Sequence, residues 1–223
     1  MMRFLKKMFR KEKRNYPDFW RAYVKEFEIG LPESLEEIRF VVFDTETTGL
    51  DIEKDRILSI GALSLQNNSI TVNQSFEVYL YQHFYHAKNI AVHGILEKES
   101  EPKITELEAI QLALSFIGNS VLVAHHAGFD RAMINAALKR HGLPKLKNKF
   151  LDTSSLYKRT LIASPLLEKQ AHYSLDEMAE KFDIPTTDRH TALGDAYITA
   201  IAFLNILGKL EVKPSFSVKE LLR

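Results

Sequence analysis

The feature that most constrains this chain is an apolar run that ends in two acidic residues. Residues 38–43 predict a buried strand, and Asp44 and Glu46 follow it two positions apart. Side chains two apart in an extended chain project to the same side, so both carboxylates face one way. Because close carboxylates repel and are costly to bury unpaired, this strand end needs cations, for which hard divalent ions are suited. The alternative is a solvated junction between a strand and a turn.

A third carboxylate lies inside a predicted helix of about residues 191–207 that is apolar almost all round. Asp195 is the only charged residue in that stretch, and a buried carboxylate must be paired, protonated or metal-bound. The alternative is a structural pair with an arginine. His190 stands just before the helix, five positions ahead of Asp195.

A fourth carboxylate, Asp130, opens a predicted helix over 130–141 that follows a short buried strand over 121–124. The alternative role for Asp130 is a helix N-cap. Ligand sites in open α/β sheets collect at the carboxyl ends of strands, where all four acidic residues are expected. Four carboxylates balance two divalent ions, and no soft ligand favours zinc. The pattern therefore indicates two-metal phosphodiester chemistry.

The remaining periodicity predicts a single α/β domain with a mixed sheet. Strands are expected over 38–44, 56–65, 69–80, 121–124 and near 150–151, and helices over 19–27, 104–117, from 154 and from 174. We expect an N-terminal extension over residues 1–36, a main domain over 37–210 and a C-terminal tail over 211–223.

Composition excludes several classes of protein. The chain has no cysteine, which excludes disulfides and thiolate metal sites. No run approaches the roughly 18 apolar residues of a membrane span, and charges interrupt the N-terminus, so a cytoplasmic location is expected. Residues 1–14 carry seven basic side chains and one acidic, a net of +6. This basic arm suggests a polyanion or membrane partner, although a solubilising tail is an equal alternative.

The sequence resembles the DEDDh-type 3′→5′ exonucleases, and among them the proofreading ε subunit of bacterial DNA polymerase III. Residues 43–49, FDTETTG, resemble the first motif of that family, residues 125–130 the second, and residues 190–195, HTALGD, the third. Residues 92–95, VHGI, and 174–176, SLD, match as well. The resemblance covers about residues 38–207.

The resemblance implies a ribonuclease H-like fold, with a mixed five-stranded sheet flanked by helices and preceded by the short helical extension. It implies two Mg²⁺ or Mn²⁺ ions held by Asp44, Glu46, Asp130 and Asp195. His190 would be the general base, because an imidazole pKa lies near the working pH. The residues that would line the pocket for the terminal nucleotides are Thr47, Thr48, Leu50, His93 and Phe129.

Two departures from the family pattern bear on this resemblance. His126 stands where family members usually carry asparagine, which affects a substrate or supporting contact but leaves the candidate ligands intact. The polymerase subunit has a long linker and tail, whereas residues 208–223 alone follow the last predicted helix, which argues against polymerase docking through a C-terminal tail.

The expected function is release of nucleoside 5′-monophosphates from the 3′ ends of single-stranded DNA. An exoribonuclease that trims RNA ends is the closest alternative, since nothing in the pocket residues tells whether a 2′-hydroxyl is admitted. A catalytically silent nucleic-acid-binding module is the alternative from another class. It has no need to keep like charges clustered.

Overall fold

The computed structural model describes residues 15–82, 102–161, 172–212 and 216–223. Predictions for the basic arm (residues 1–14) and for His93 lie outside these residues. Within the described ranges the chain forms a twisted sheet with helices on both faces. The α/β class and the ribonuclease H-like architecture predicted from the sequence are confirmed.

The described sheet has six strands in the order β4-β3-β2-β1-β5-β6. Neighbours β1–β2 and β2–β3 are antiparallel, whereas β1–β5, β5–β6 and β3–β4 are parallel, so the sheet is mixed as predicted. The strands are β1 (Phe40–Thr47), β2 (Ile57–Gln66), β3 (Ser69–Leu80), β4 (Lys103–Ile104), β5 (Val121–Ala124) and β6 (Phe150–Asp152).

The sheet has one strand more than the five expected, and the difference is β4. The sequence pattern assigned Ile104 to the following helix, because its apolar side chain fits the helical period. In the structure, Lys103 and Ile104 pair with Tyr79 and Leu80 of β3. The helix begins after its N-cap Thr105, whose side chain forms a capping box with Glu108.

Two groups of helices cover the two faces of the sheet. The helices are α1 (Asp18–Glu26), α2 (Glu106–Ile117), α3 (Gly128–Arg140), α4 (Thr153–Thr160), α5 (Leu175–Lys181), α6 (Ala192–Glu211) and α7 (Val218–Leu221). Helices α1, α2 and α3 share one apolar core, and α4, α5, α6 and α7 share the other. The sheet lies between these two groups of helices, and β1 and β5 are neighbouring central strands whose carboxyl ends point the same way.

Helix α1 belongs to the packed structure. Trp20 and Tyr23 are buried, and the Tyr23 hydroxyl donates to Asn148 Oδ1 at 2.5 Å and accepts from the Lys147 N–H at 2.8 Å. The part of the predicted extension that the structure describes therefore packs on the main domain. The boundary at residue 36 stays a prediction.

Helix α6 explains the apolar stretch around Asp195. Among the described helices it alone is long and apolar enough to cross a membrane by length and composition, with 61% of its most apolar window buried inside the protein. It packs on β1 and β2, and Phe203 is fully buried against Phe40 at a ring distance of 5.1 Å. Its apolar character is accounted for by the core.

Candidate active site

Asp44 and Glu46 lie in the second half of β1, which continues to Thr47, beyond the predicted strand end at residue 44. Asp44 is partly buried and Glu46 is buried. With Asp195 of α6 they form a cluster in which one carboxylate oxygen from each residue lies within 4.8 Å of the others. Two residues from one strand and one from a helix distant in sequence thus meet at a single point.

The contact between α6 and the sheet brings Asp195 to this point. Asp44 is paired with Gly61 of β2, and the backbone of Ala192 and Leu193 lies so close to Gly61 that a Cβ there would be 2.2 Å from it. Only glycine allows this approach. Thr191 caps α6 by accepting from the Gly194 N–H, which fixes Asp195 in the first turn of the helix.

Asp130 is buried in the first turn of α3, but it is not the helix N-cap, which is Ala127. Its Oδ1 accepts two hydrogen bonds from Thr45, one from the backbone N–H at 3.0 Å and one from the hydroxyl at 2.7 Å. Thr45 lies between Asp44 and Glu46, so these bonds join α3 directly to the strand end that carries the cluster.

Burial and nearby negative charge oppose the ionisation of three of the carboxylates, Asp44, Asp130 and Asp195. Burial, with the negative charges of Asp130, Asp195 and Glu46, raises the pKa of Asp44 well above its usual range. Burial raises the pKa of Asp130 to about 7, although the Thr45 hydrogen bonds act in the opposite direction. Burial also raises the pKa of Asp195 to about 6, against the lowering effect of Arg189. Additional positive charge would stabilise the ionised forms.

Arg189 is a residue of the site that sequence reasoning missed. One guanidinium nitrogen, NH1, donates to Asp195 Oδ2, and Nε donates to Asp176 Oδ1 at 2.6 Å. The sequence offers an arginine partner for Asp195 as the alternative to a metal ion, but nothing in the spacing points to the residue beside His190. The structure contains this pair and the carboxylate cluster together.

His190 lies exposed at the rim of the cluster, with a left-handed backbone at φ 67°. Its N–H donates to Asp195 Oδ1 at 3.2 Å, and its Nδ1 is 3.5 Å from Arg189 NH1. The backbone bond ties the segment that carries the imidazole to a candidate metal ligand. The side chain itself is open to solvent.

The predicted substrate residues differ in their exposure and in their hydrogen bonds to the protein. Leu50 is 82% exposed and Phe129 is partly buried beside Asp130, so both can meet a ligand. The Thr47 hydroxyl donates to the Gly49 carbonyl at 2.8 Å. The Thr48 hydroxyl donates to Asp55 Oδ1 at 2.7 Å and accepts from the Arg56 N–H at 3.0 Å. Thr48 thus holds the loop after β1 together.

The two adjacent histidines after β5 have different surroundings. Burial lowers the pKa of His125 to about 4, and its Nε2 donates to the Tyr173 carbonyl at 2.9 Å while Nδ1 accepts from Thr153 at 2.8 Å. His126 is exposed and has φ 57°. Histidine, like asparagine, is enriched in this left-handed region, which explains why the backbone accepts His126 at this position.

The donor set fits hard divalent ions. Oxygen ligands of Mg²⁺ lie about 2 Å from the ion, and the Asp44, Glu46 and Asp195 oxygens lie within 4.8 Å of one another, close enough to converge on such an ion. Asp130 adds a fourth carboxylate at the same edge, and these four candidate ligands bring neither sulfur nor imidazole. The site can therefore hold cations of the kind expected from the sequence.

Sequence comparisons match this chain to known proteins. The profile of the RNase_T family, described as Exonuclease, matches residues 41–203. DNA polymerase III subunit epsilon of Aquifex aeolicus is 32% identical over 186 residues, which cover 83% of this chain and 88% of that protein. DNA polymerase III PolC-type of Thermotoga petrophila is 33% identical over 179 residues. That match covers 80% of this chain but only 12% of the much longer relative.

Solved structures share the fold at lower identity. Exonuclease X, in complex with 5′ overhanging duplex DNA, has a TM-score of 0.60 and 21% identity, over 83% of this chain and 97% of that one. Exonuclease I of E. coli, in a complex with single-stranded DNA, has a TM-score of 0.63 and 14% identity, over 80% of this chain and 42% of that one. These likenesses support the architecture.

Proposed function

Because the chain belongs to the exonuclease family whose profile spans residues 41–203, we propose that it is a two-metal 3′→5′ exonuclease acting on single-stranded DNA. The observation that carries the proposal is the cluster of Asp44, Glu46 and Asp195, assembled from the carboxyl-terminal half of β1 and the first turn of α6. A silent binding module would gain nothing from a cluster of buried like charges.

The proposed cation ligands are Asp44, Glu46, Asp130 and Asp195, with Mg²⁺ or Mn²⁺ as the ions. When bound there, such ions lower the pKa of water and offset the charge that develops on the phosphodiester oxygens. The protein's part is to hold the four carboxylates in place, through Thr45 for Asp130 and through the Gly61 contact for α6.

His190 is the proposed general base. A water attacks the terminal phosphorus while its proton passes to the imidazole, and the bond between phosphorus and the 3′ oxygen breaks. The products are a nucleoside 5′-monophosphate and a strand shortened by one nucleotide, whose 3′ oxygen takes a proton from solvent. The exposed position of His190 at the cluster rim suits exchange of that proton with water.

The substrate strand would end over the exposed Leu50 and the half-buried Phe129, which can wedge and stack against any base. Thr47, Thr48 and His93 stay proposed pocket residues, of which Thr48 would act through the loop it holds. A groove of about 730 Å³ along the outer face of α3 offers a path for the strand. It is lined by Gly128 near the cluster and by Arg131, Lys139 and Lys145 further away.

Several finer expectations remain proposals. Exonuclease I and Exonuclease X were solved with DNA, which favours DNA as the substrate here, and RNA stays the alternative.

The basic arm would contact the nucleic-acid backbone, with an anionic membrane as its competing partner. The epsilon relative is named as a polymerase subunit, so a polymerase partner is a further hypothesis. A cytoplasmic location and the domain limits stay predictions.

The test is degradation of matched DNA and RNA oligonucleotides labelled at the 3′ end, in Mn²⁺ and in EDTA. We expect release of labelled mononucleotide from DNA in Mn²⁺ alone, and no cutting of circular single-stranded DNA, which has no 3′ end. Faster release from RNA would establish the alternative substrate. No release from either would refute the proposed activity.

A further inference from the structure

Arg189 makes contacts that the proposed reaction does not use. Its side chain is 20% exposed and lies between a buried carboxylate, Asp195, and an exposed one, Asp176, in the first turn of α5. Nε is 2.6 Å from Asp176 Oδ1 and NH2 is 3.4 Å from Oδ2, while NH1 donates to Asp195. One guanidinium therefore joins a candidate metal ligand to a neighbouring helix.

We propose that Arg189 is a positioning residue that serves as the internal counter-cation of the site. Without divalent ions its guanidinium neutralises Asp195, and when ions bind it withdraws onto Asp176. This inference rests on the proposed metal site and names a role that the carboxylates alone do not fill.

The geometry of Asp195 is the first reason. Both of its oxygens are engaged, Oδ2 by Arg189 and Oδ1 by the His190 N–H at 3.2 Å. Oδ2 thus accepts from a cationic donor, which leaves this oxygen fewer lone pairs for a metal ion. A divalent ion on this carboxylate and the guanidinium are like charges a few ångströms apart, so each weakens the binding of the other.

The geometry of Asp176 is the second reason. Its two oxygens already face Nε and NH2, the edge of the guanidinium that a bidentate pair uses, although the NH2 contact at 3.4 Å is long. A small rotation that shortens this contact would draw NH1 away from Asp195. Because Asp176 has a side chain 64% exposed and lies outside the carboxylate cluster, it can hold the charge without blocking the ligands.

The test measures Mn²⁺ affinity by calorimetry on the full chain, with no nucleic acid present. Arg189→Gln removes the competing charge, so its dissociation constant for Mn²⁺ should fall about tenfold. Asp176→Asn removes the alternative anchor and leaves the guanidinium on Asp195, so its dissociation constant should rise. The double variant should behave like Arg189→Gln, since the anchor matters only while the guanidinium is present.

Two further variants separate charge from packing. Arg189→Lys keeps the charge and should return the affinity toward that of the wild type. Arg140→Gln is the matched control, because it breaks another partly buried arginine pair, with Glu106 at 2.5 Å, and should leave Mn²⁺ affinity unchanged. In EDTA, Arg189→Gln should melt below the wild type, because the carboxylates lose their counter-cation.

The outcomes are distinguishable from those of the proposed function. If the wild type binds no Mn²⁺, the metal site and the nuclease proposal both fail. If it binds Mn²⁺ but Arg189→Gln and Asp176→Asn both weaken binding, Arg189 is an ordinary structural tie and the counter-cation role alone is refuted. Opposite shifts in the two variants support the proposal.

Discussion

Replacing Gly61 with alanine should disrupt both the packing of α6 and the assembly of the site. A Cβ at residue 61 would lie 2.2 Å from the backbone of Ala192 and Leu193, whereas ordinary contacts begin at 3.4 Å. The obstacle is backbone, so no side chain can rotate away. The helix must therefore move by about 1 Å, and inserting a methyl into such a packed contact costs about 1–3 kcal/mol or more.

The same displacement reaches the carboxylates. Asp195 lies three residues beyond Ala192 in the first turn of α6, and Asp44 is the residue paired with Gly61. The two candidate ligands therefore move apart when the helix moves. A misplacement of about 1 Å can cost roughly 10²-fold in rate, so Gly61→Ala should be strongly impaired as a nuclease as well as less stable.

Urea unfolding in EDTA gives the stability, and release of labelled mononucleotide gives the rate. Gly208→Ala is the matched control, since it lies in the same helix with open space around its added Cβ. Alanine there should raise the free energy of unfolding by about 0.5–1 kcal/mol and leave the rate unchanged. A Gly61→Ala protein that is as stable and active as the wild type would refute the close-approach argument.

Three other predictions test the site. Asp44→Ala should abolish hydrolysis while its melting temperature in EDTA holds or rises, because one of the repelling carboxylates is gone; full activity would remove the metal-site interpretation. His190→Ala should lose about 10²–10⁴ in rate at neutral pH, and an unchanged rate would assign the proton to another acceptor. In EDTA, the pKa values of about 7 for Asp130 and about 6 for Asp195 mean that the folded protein binds protons that the unfolded chain, with a pKa near 4, has released. Their contribution to stability should therefore grow as the pH falls from about 7 to about 4, and urea unfolding should show less of this growth in Asp130→Asn than in the wild type.

The carboxylates could be located from the sequence because each breaks a local pattern. Asp44 and Glu46 interrupt an apolar strand at a spacing that puts them on one side, and Asp195 is the single charge in the apolar stretch over residues 191–207. Such mismatches between charge and expected burial can be recognised from the sequence alone. The fold class followed from the same periodicity, since β1, β2 and β3 alternate or run apolar over lengths typical of strands.

The supporting contacts could not be located in this way. Arg189 looks like an ordinary basic residue in a polar loop, and only the folding of α5 beside α6 gives it Asp176 and Asp195 as partners. The Thr45 hydroxyl and Gly61 likewise gain their roles from elements distant in sequence. Strand β4 was missed because two residues are too few to show a period.

Two unfavourable backbone conformations lie beside the candidate ligands. Five described residues other than glycine have positive φ, and two of them, His126 and His190, lie in the loops that lead into Asp130 and Asp195. Such backbone conformations cost on the order of 1–3 kcal/mol each and persist only where the surrounding structure holds them. In this protein the surrounding structure is the apolar packing of α6 against one face of the sheet and of α3 against the other. The two helices thus bear the cost of bringing like charges together, and a divalent ion that offsets that repulsion should stabilise the folded chain by mass action.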